Sequence, residues 1–366
     1  MTAIRKRNWI DGKGEARQAW LVDYRDSAGK RRAKQFSRKK DAEAWLTTAA
    51  WQVSQGTHTP DSQSITVAVA AKHWLDRARR EKLEPTTIAA YDQHVRLHIE
   101  PLCGAVKLSQ LTAPMVAEYR DQLLDKLSRP MAVRVLRSLT SIIAGAQGRG
   151  QVAQNVAGAI KVKRMARERP KVRPPAKKAL RAILEAAQAS EDRRAAPLAM
   201  LAIFAGLRAS ELRGLSWRQL DLAAGAVTID QRADAKGTIG PPKSAASRRT
   251  IPLPASAVRV LKEWKLACAP SDLGLVFPSL GGKVMSYRYL SRNVLGSILK
   301  SPKVTLHDLR HAAASLWIEQ QVEPKRVQAW LGHHSIQVTF DTYGHLFEAS
   351  GRETSVAAAI EKELIG

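Results

Sequence analysis

Cysteine is nearly missing from this chain: 366 residues hold two, Cys103 and Cys268, far apart in sequence. Such a pair builds neither a CxxC metal or redox motif nor a disulfide framework, so both read as packing residues. Long apolar runs are also missing. No stretch approaches the ~18 consecutive apolar residues of a bilayer-spanning helix, and the opening MTAIRKRNWIDGKGE is basic without the apolar centre of a secretory signal. The expectation is a cytoplasmic protein with no membrane contact. Acidic side chains are few, and Glu211, Asp308 and Asp341 stand apart, so the sequence offers no pair of carboxylates to hold catalytic metals. The lysine of GPPKS follows prolines where a phosphate-binding loop would need glycines, which argues against a nucleotide-driven motor. No HExxH accompanies the nine histidines, which leaves a zinc site without its usual partner. Neither a metal nor a cofactor is expected.

Positive charge is what the chain has in excess. Fifty-nine Lys and Arg face 33 Asp and Glu, for a formal net charge of +26. Solubility does not require that much, and the basic residues occur in every third of the chain, which points to a nucleic acid as the polyanionic partner.

The length exceeds the ~100 to 200 residues of a typical single domain, so two or three domains are expected. From Ile4 to Phe36 the stretches AIRKRNWI, AWLVDYRD and RRAKQFS alternate apolar with basic residues, and the turn at Asp26 to Gly29 makes a hairpin of the last two. SRKKDAEAWLTTAAWQV then reads as a helix, with Ser37 as N-cap and Ala42, Trp45, Leu46 and Ala49 on one face. The polar SQGTHTPDSQS, residues 54–64, reads as a linker. Apolar residues recur at three and four from Thr66 to about Lys163, predicting an all-helical segment. KRMARERPKVRPP, residues 163–175, is a second boundary, because helix cannot continue through Pro170. Beyond it helices dominate, with strands at AVTIDQ and SRRTIPLP. The expected fold class is therefore multidomain: a small basic three-stranded sheet plus helix, an all-α segment, and a mixed, mainly-α segment with a small antiparallel sheet.

Chemistry concentrates in the last segment. FAGLRASELRGLSW ends an apolar helix at Gly206 and places Arg208 at the start of the next. VTLHDLRHAAASLWIEQ sets His307, Arg310 and His311 at i, i+3 and i+4, an imidazole beside a guanidinium on one helix edge, with Leu309, Ala313, Leu316 and Trp317 on the opposite one. LGHHSIQVTFDTYGHLF packs three histidines around Tyr343. By spacing alone Ile336, Phe340 and Tyr343 would line one apolar face, and the tyrosine could be a buried aromatic or a nucleophile.

Six residues in order, Arg208 in GLRASEL, Lys243 in PPKSAASRRTIPL, His307 and Arg310 in LHDLRH, His333 in LGHHS and Tyr343 in TFDTYGH, resemble the catalytic set of the tyrosine recombinases, or phage-type integrases. The resemblance extends to the basic sheet, similar to an arm-type DNA-binding domain over residues 1–60, and to the helical segment, similar to a core-binding domain over 64–165, ahead of a catalytic domain over 174–366. It implies a site-specific recombinase that integrates, and excises, a mobile element. Tyr343 would attack the scissile phosphate to give a 3'-phosphotyrosine, Arg208 and Arg310 would clamp the non-bridging oxygens, and His333 would donate to the same phosphate. His307 would take the tyrosine proton and Lys243 would protonate the leaving 5'-oxygen. Gly344 would loosen the helix end beside the nucleophile, while His311 and His345 serve packing or hydrogen bonding beside the site and His334 faces solvent. The implied partners are double-stranded attachment-site DNA, three further copies in a synaptic tetramer, and accessory DNA-bending proteins, with the enzyme nucleoid-associated when bound. The tail RETSVAAAIEKELI, with Val356, Ile360 and Leu364 four apart, would dock on a neighbouring subunit. A chromosome-dimer resolvase-like recombinase, a type IB topoisomerase and a DNA-binding protein with a dead site are the rival readings.

Overall fold

The structure, a computed structural model, describes residues 3–26, 29–54, 56, 58–61, 64–163, 172–242, 244–299 and 304–349. Lys243 and the apolar stripe of the tail lie outside the described residues, as does most of the basic stretch at 163–175. The chain divides into two compact units, Met1–Met165 and Ala166–Gly366.

The first unit opens with an antiparallel sheet in the order β1 (Ala3–Ile10), β2 (Ala16–Arg25), β3 (Arg31–Phe36). Its register sets Trp20 opposite both Lys6 and Phe36. Ala19, Val22 and Tyr24 of the central strand are buried, and helix α1 (Lys39–Ser54) covers them with Ala42, Ala49 and Trp45, whose ring meets Tyr24 edge-on at 5.1 Å. Because α1 starts at Lys39, Ser37 lies one residue too early to cap it. The described residues of the expected linker are tied down: His58 Nε2 lies 2.9 Å from the Tyr24 hydroxyl, and Asp61 accepts from Lys34 at 2.9 Å and from Ser109 at 2.7 Å.

Helices α2 (Val67–Arg80), α3 (Pro85–His94), α4 (Glu100–Cys103), α5 (Ala113–Lys126) and α6 (Arg129–Gln147) follow. Thr66 and Thr112 cap α2 and α5 by accepting backbone N–H groups two residues into each helix. A wide π turn, Val95–Ile99, joins α3 to α4 just ahead of Pro101, whose missing N–H would break a regular α ladder there. The apolar faces of these helices share one core around Trp74, Ile99, Leu123, Leu139 and Ile142.

In the second unit, α7 (Lys177–Gln188) packs on α8 (Ala195–Phe204). APLAMLAIF is apolar on every face, so α8 has no side to offer water and lies in the centre of the core, with Leu198, Leu201 and Ile203 fully enclosed. Helix α9 (Ala209–Gly214) leads to a sheet of β4 (Leu220–Asp221), β5 (Ala226–Ile229) and, across the β6 (Arg232–Ala233) and β7 (Ile239–Gly240) ribbon, β8 (Arg249–Pro252). Val227, Ile229 and Ile251 project from the sheet into the same core. The chain ends its described part in α10 (Ala255–Ala267), the short α11 (Tyr287–Tyr289) and α12 (Gly296–Leu299), then α13 (Leu306–Glu319), α14 (Pro324–Leu331) and α15 (Ile336–Ala349). Among the described residues no helix is long and apolar enough to cross a membrane.

Candidate active site

Two helix ends and two helix starts of the second unit meet at one place. Gly206 ends α8 at φ +58°, and a Cβ there would lie 3.1 Å from that of Ala313, so glycine permits both the left-handed turn and the close approach of α13. Arg208 follows as the residue preceding α9. Its backbone N–H donates to Glu211 Oε2 at 2.8 Å, its Nη1 donates to Glu211 Oε1 at 2.9 Å, and its Nη2 donates to the Gly332 carbonyl at 3.1 Å. Gly332 is itself left-handed, at φ +60°, and closes α14.

Arg310 sits on α13, whose first turn is fixed by a reciprocal Thr305–Asp308 capping box. That box accounts for Asp308. The Arg310 side chain is 3% exposed; Nη1 donates to the Gly206 carbonyl at 2.6 Å and Nη2 to the Leu331 carbonyl. Carbonyls at helix C-termini carry partial negative charge, and Arg310 is bracketed by two such ends. Burial pulls its pKa down to about 9, with the nearby Arg208 charge acting in the same direction, so it remains a cation at neutral pH.

Among the described residues Glu211 is the carboxylate that pairs with these cations, and a third guanidinium, that of Arg249, binds it at 3.0 and 2.8 Å. Burial by itself would raise the Glu211 pKa, but the Arg249 hydrogen bonds and the charges of Arg249, Arg208 and Arg310 hold it at about 2. Three cations around one anion leave an excess of positive charge. It borders a cavity of about 510 Å³ lined by Arg208, Arg213, Tyr287, His307 and Arg310 among others. The arrangement suits an anion with several acceptor oxygens, which guanidinium donors match.

The histidines differ in what they touch. His307 opens on the cavity, and its ring centre lies 4.5 Å from that of His311. Desolvation and the Arg310 charge lower the pKa of His307, favouring the neutral, proton-accepting form. His333 follows Gly332, and its Nδ1 is 2.9 Å from Thr339 Oγ1. Burial and the charges of Arg310, Arg208 and Arg249 pull its pKa down to about 4. Between an unfolded value near 6.5 and that folded value the unfolded chain binds the additional proton, so this contribution to stability is complete above pH 6.5 and is lost as the pH falls toward 4. Thermal melts followed from pH 7 down to pH 4.5 are expected to decline less steeply for His333→Gln than for the wild type. Parallel declines would assign the titration to another group.

Tyr343 is 1% exposed, beneath α13, with its hydroxyl 2.7 Å from His311 Nδ1. Burial raises its pKa to about 12, against the opposing pull of Arg310 and Arg208. It is a protonated phenol held out of the cavity. Ile336, Phe340 and Tyr343 lie on one helix at the expected spacing, but the stripe is covered only in part: Phe340 is 43% exposed while the tyrosine is enclosed. Gly344 is not at a helix end either: α15 continues to Ala349, which places the glycine inside the helix, where it costs about 1 kcal/mol relative to alanine.

Of the six residues singled out in the sequence, the structure gathers five. Arg208, His307 and Arg310 line one cavity, Arg208 binds the turn that leads to His333, and Tyr343 joins α13 through His311. Lys243 lies outside the described residues. Glu211 is not an isolated acid, and its position three residues after Arg208 was the signal that could have shown this. Arg249 carried no comparable signal. His345 donates to or sits against the Val172 carbonyl at 3.1 Å, a local contact, and His334 is exposed.

The model of the phage integrase family matches residues 176–350. A XerC-like tyrosine recombinase of Caldanaerobacter subterraneus subsp. tengcongensis is 25% identical over 374 residues, covering 93% of this chain and 95% of its own. The tyrosine recombinase XerC of Xylella fastidiosa strain 9a5c is 30% identical over 248 residues, covering 66% of this chain and 77% of its own. Among solved structures, a lambda integrase dimer bound to a COC' core site superposes with a TM-score of 0.60 at 20% identity, over 94% of this chain and 95% of that one, and a lambda integrase tetramer bound to a Holliday junction with a TM-score of 0.59 at 19% identity, over 90% and 95%. These two share the fold: N-terminal three-stranded sheet, helical middle and mainly-α end with a small sheet. Identity of 30% across more than three quarters of a relative's length is more than a common fold requires, and the chain belongs to the phage integrase family of tyrosine recombinases, enzymes that break and rejoin DNA strands.

Proposed function

We propose that this recombinase integrates and excises a mobile element by acting on duplex attachment sites, with Arg208, Lys243, His307, Arg310, His333 and Tyr343 as its catalytic residues. The observation that carries the assignment is the pair of guanidiniums, held at fixed angles by helix-end carbonyls, on the same helix cluster as a hidden phenol. The planar forks of Arg208 and Arg310 bind the two non-bridging oxygens of the scissile phosphate, a task to which a lysine ammonium is poorly matched. His333 donates to the same group. Tyr343, released from His311, attacks phosphorus while neutral His307 takes its proton, and Lys243 protonates the departing 5'-oxygen. The phosphotyrosine conserves the phosphoester, so a hydroxyl of the partner strand reverses the step without nucleotide hydrolysis.

Residues 1–60 form the arm-binding part, 64–165 the core-binding part and 174–366 the catalytic part, and four copies assemble on two duplexes in the cytoplasm, aided by DNA-bending proteins. The exposed Arg5, Lys6 and Arg7 of β1 support the arm reading. The XerC relatives fit the alternative, a resolvase-like recombinase, only in part. A recombination assay separates them, using DNA flanking the gene and a buffer with EDTA and no ATP. The expected result is that Arg5→Gln combined with Arg7→Gln leaves cleavage of a core-site duplex intact and abolishes integration. Normal integration by that variant would remove the arm assignment and leave the resolvase-like reading.

A further inference from the structure

Arg249 is the first residue of β8, yet its side chain points away from solvent and is 3% exposed. It donates from Nε to the Trp330 carbonyl at 2.6 Å, from Nη1 to the Ser247 carbonyl at 2.9 Å and to Glu211 Oε1 at 3.0 Å, and from Nη2 to Glu211 Oε2 at 2.8 Å. Those contacts join three separate segments: α9, which Arg208 precedes; the connection leading into β8; and the end of α14, which leads to His333. Gly332 is pressed against the same side chain, since a Cβ there would meet Arg249 Nη1 at 3.1 Å.

The geometry points to Arg249 as a positioning residue for the reaction, one that sets where the Arg208 guanidinium meets the scissile phosphate. This rests on the clamp role assigned to Arg208 above. A carboxylate has about four acceptor positions. On Glu211 they are taken by two donors of Arg249 and two of Arg208, its backbone N–H and Nη1. With half of the carboxylate occupied by Arg249, Arg208 cannot turn both of its terminal nitrogens onto Glu211, and Nη2 is directed to the Gly332 turn instead. Without Arg249, Arg208 is the nearest cation able to neutralise Glu211. Its fork then closes on the carboxylate and away from the phosphate. Lysine cannot replace Arg249, because one ammonium does not span a bidentate carboxylate and two carbonyls at fixed angles.

The test compares Arg249→Lys, Arg249→Met and Arg208→Ala with the wild type on two suicide duplexes. One carries the natural phosphodiester at the scissile position, and the other a methylphosphonate, whose neutral phosphorus centre no longer needs a guanidinium at the missing oxygen. Both Arg249 variants are expected to bind the duplex as the wild type does and to cleave the phosphodiester slower by ~100-fold, the scale of a misplaced reacting group. On the methylphosphonate their deficit should shrink to a few-fold, and that of Arg208→Ala should shrink with it. A deficit equal on both substrates would show that Arg249 serves folding or some other step, as would unimpaired phosphodiester cleavage. Arg249→Lys keeps the charge and tests the idea even where Arg249→Met fails to fold. If Arg208→Ala alone shows no relief on the neutral substrate, the clamp assignment falls and this inference falls with it.

Discussion

Tyr343→Phe is expected to bind duplex DNA as the wild type does and to form no SDS-resistant protein–DNA adduct on a nicked suicide substrate. Only one oxygen is removed. The ring remains to fill its enclosed place against α13, α14 and their neighbours Ile318, Val327 and Leu331, so packing is kept. The lost hydrogen bond to His311 costs about 1 kcal/mol, too little to unfold a domain of this size. Loss of the nucleophile should lower cleavage by at least the ~10⁶-fold that separates the slower enzymes from uncatalysed chemistry. The measurement is a denaturing gel of protein and labelled DNA beside a binding titration. An adduct formed by the variant would place the nucleophile elsewhere.

The second large effect separates the proton donor from the charge clamp. A 5'-alkoxide is a poor leaving group, so Lys243→Ala should slow cleavage by ~100- to 10,000-fold, the usual range for acid catalysis. Sulfur leaves without a proton. A substrate with sulfur at the scissile 5'-bridging position should therefore restore most of the rate to Lys243→Ala and little of it to Arg310→Ala, whose loss lies at the non-bridging oxygens. Arg310→Ala also leaves the Gly206 and Leu331 carbonyls without their donor, at about 1–3 kcal/mol for each buried group. Arg310→Lys, checked by thermal melting, keeps a cation there without the fork. Rescue of neither Lys243→Ala nor any other lysine variant would remove Lys243 as the acid; Lys236, seven residues earlier in the sequence, is the one to test next.

Much of this was legible in the residues themselves. Period-two alternation marked the strands of the first unit, and an apolar run ending at Gly206 marked a helix, because local periodicity and local composition govern such elements. The excess of 26 positive charges identified the kind of partner, since net charge is a property of composition and needs no fold to be known. The order of six residues along the chain singled out the set, and the structure brings the five described ones into one helix cluster.

The tertiary structure decided how those residues are held. Arg310 reaches the Gly206 carbonyl across 104 positions, Arg249 reaches Glu211 across 38, and Tyr343 meets His311 across 32. No spacing rule extends that far. The Tyr343 stretch shows the difference most clearly: its i, i+4, i+7 pattern described an apolar stripe, whereas packing against α13 and α14 left Phe340 partly exposed and enclosed the tyrosine. A helix pattern specifies which residues share a face, but which part of that face is covered, and which polar group waits beneath it, depends on neighbours that only the packed chain supplies.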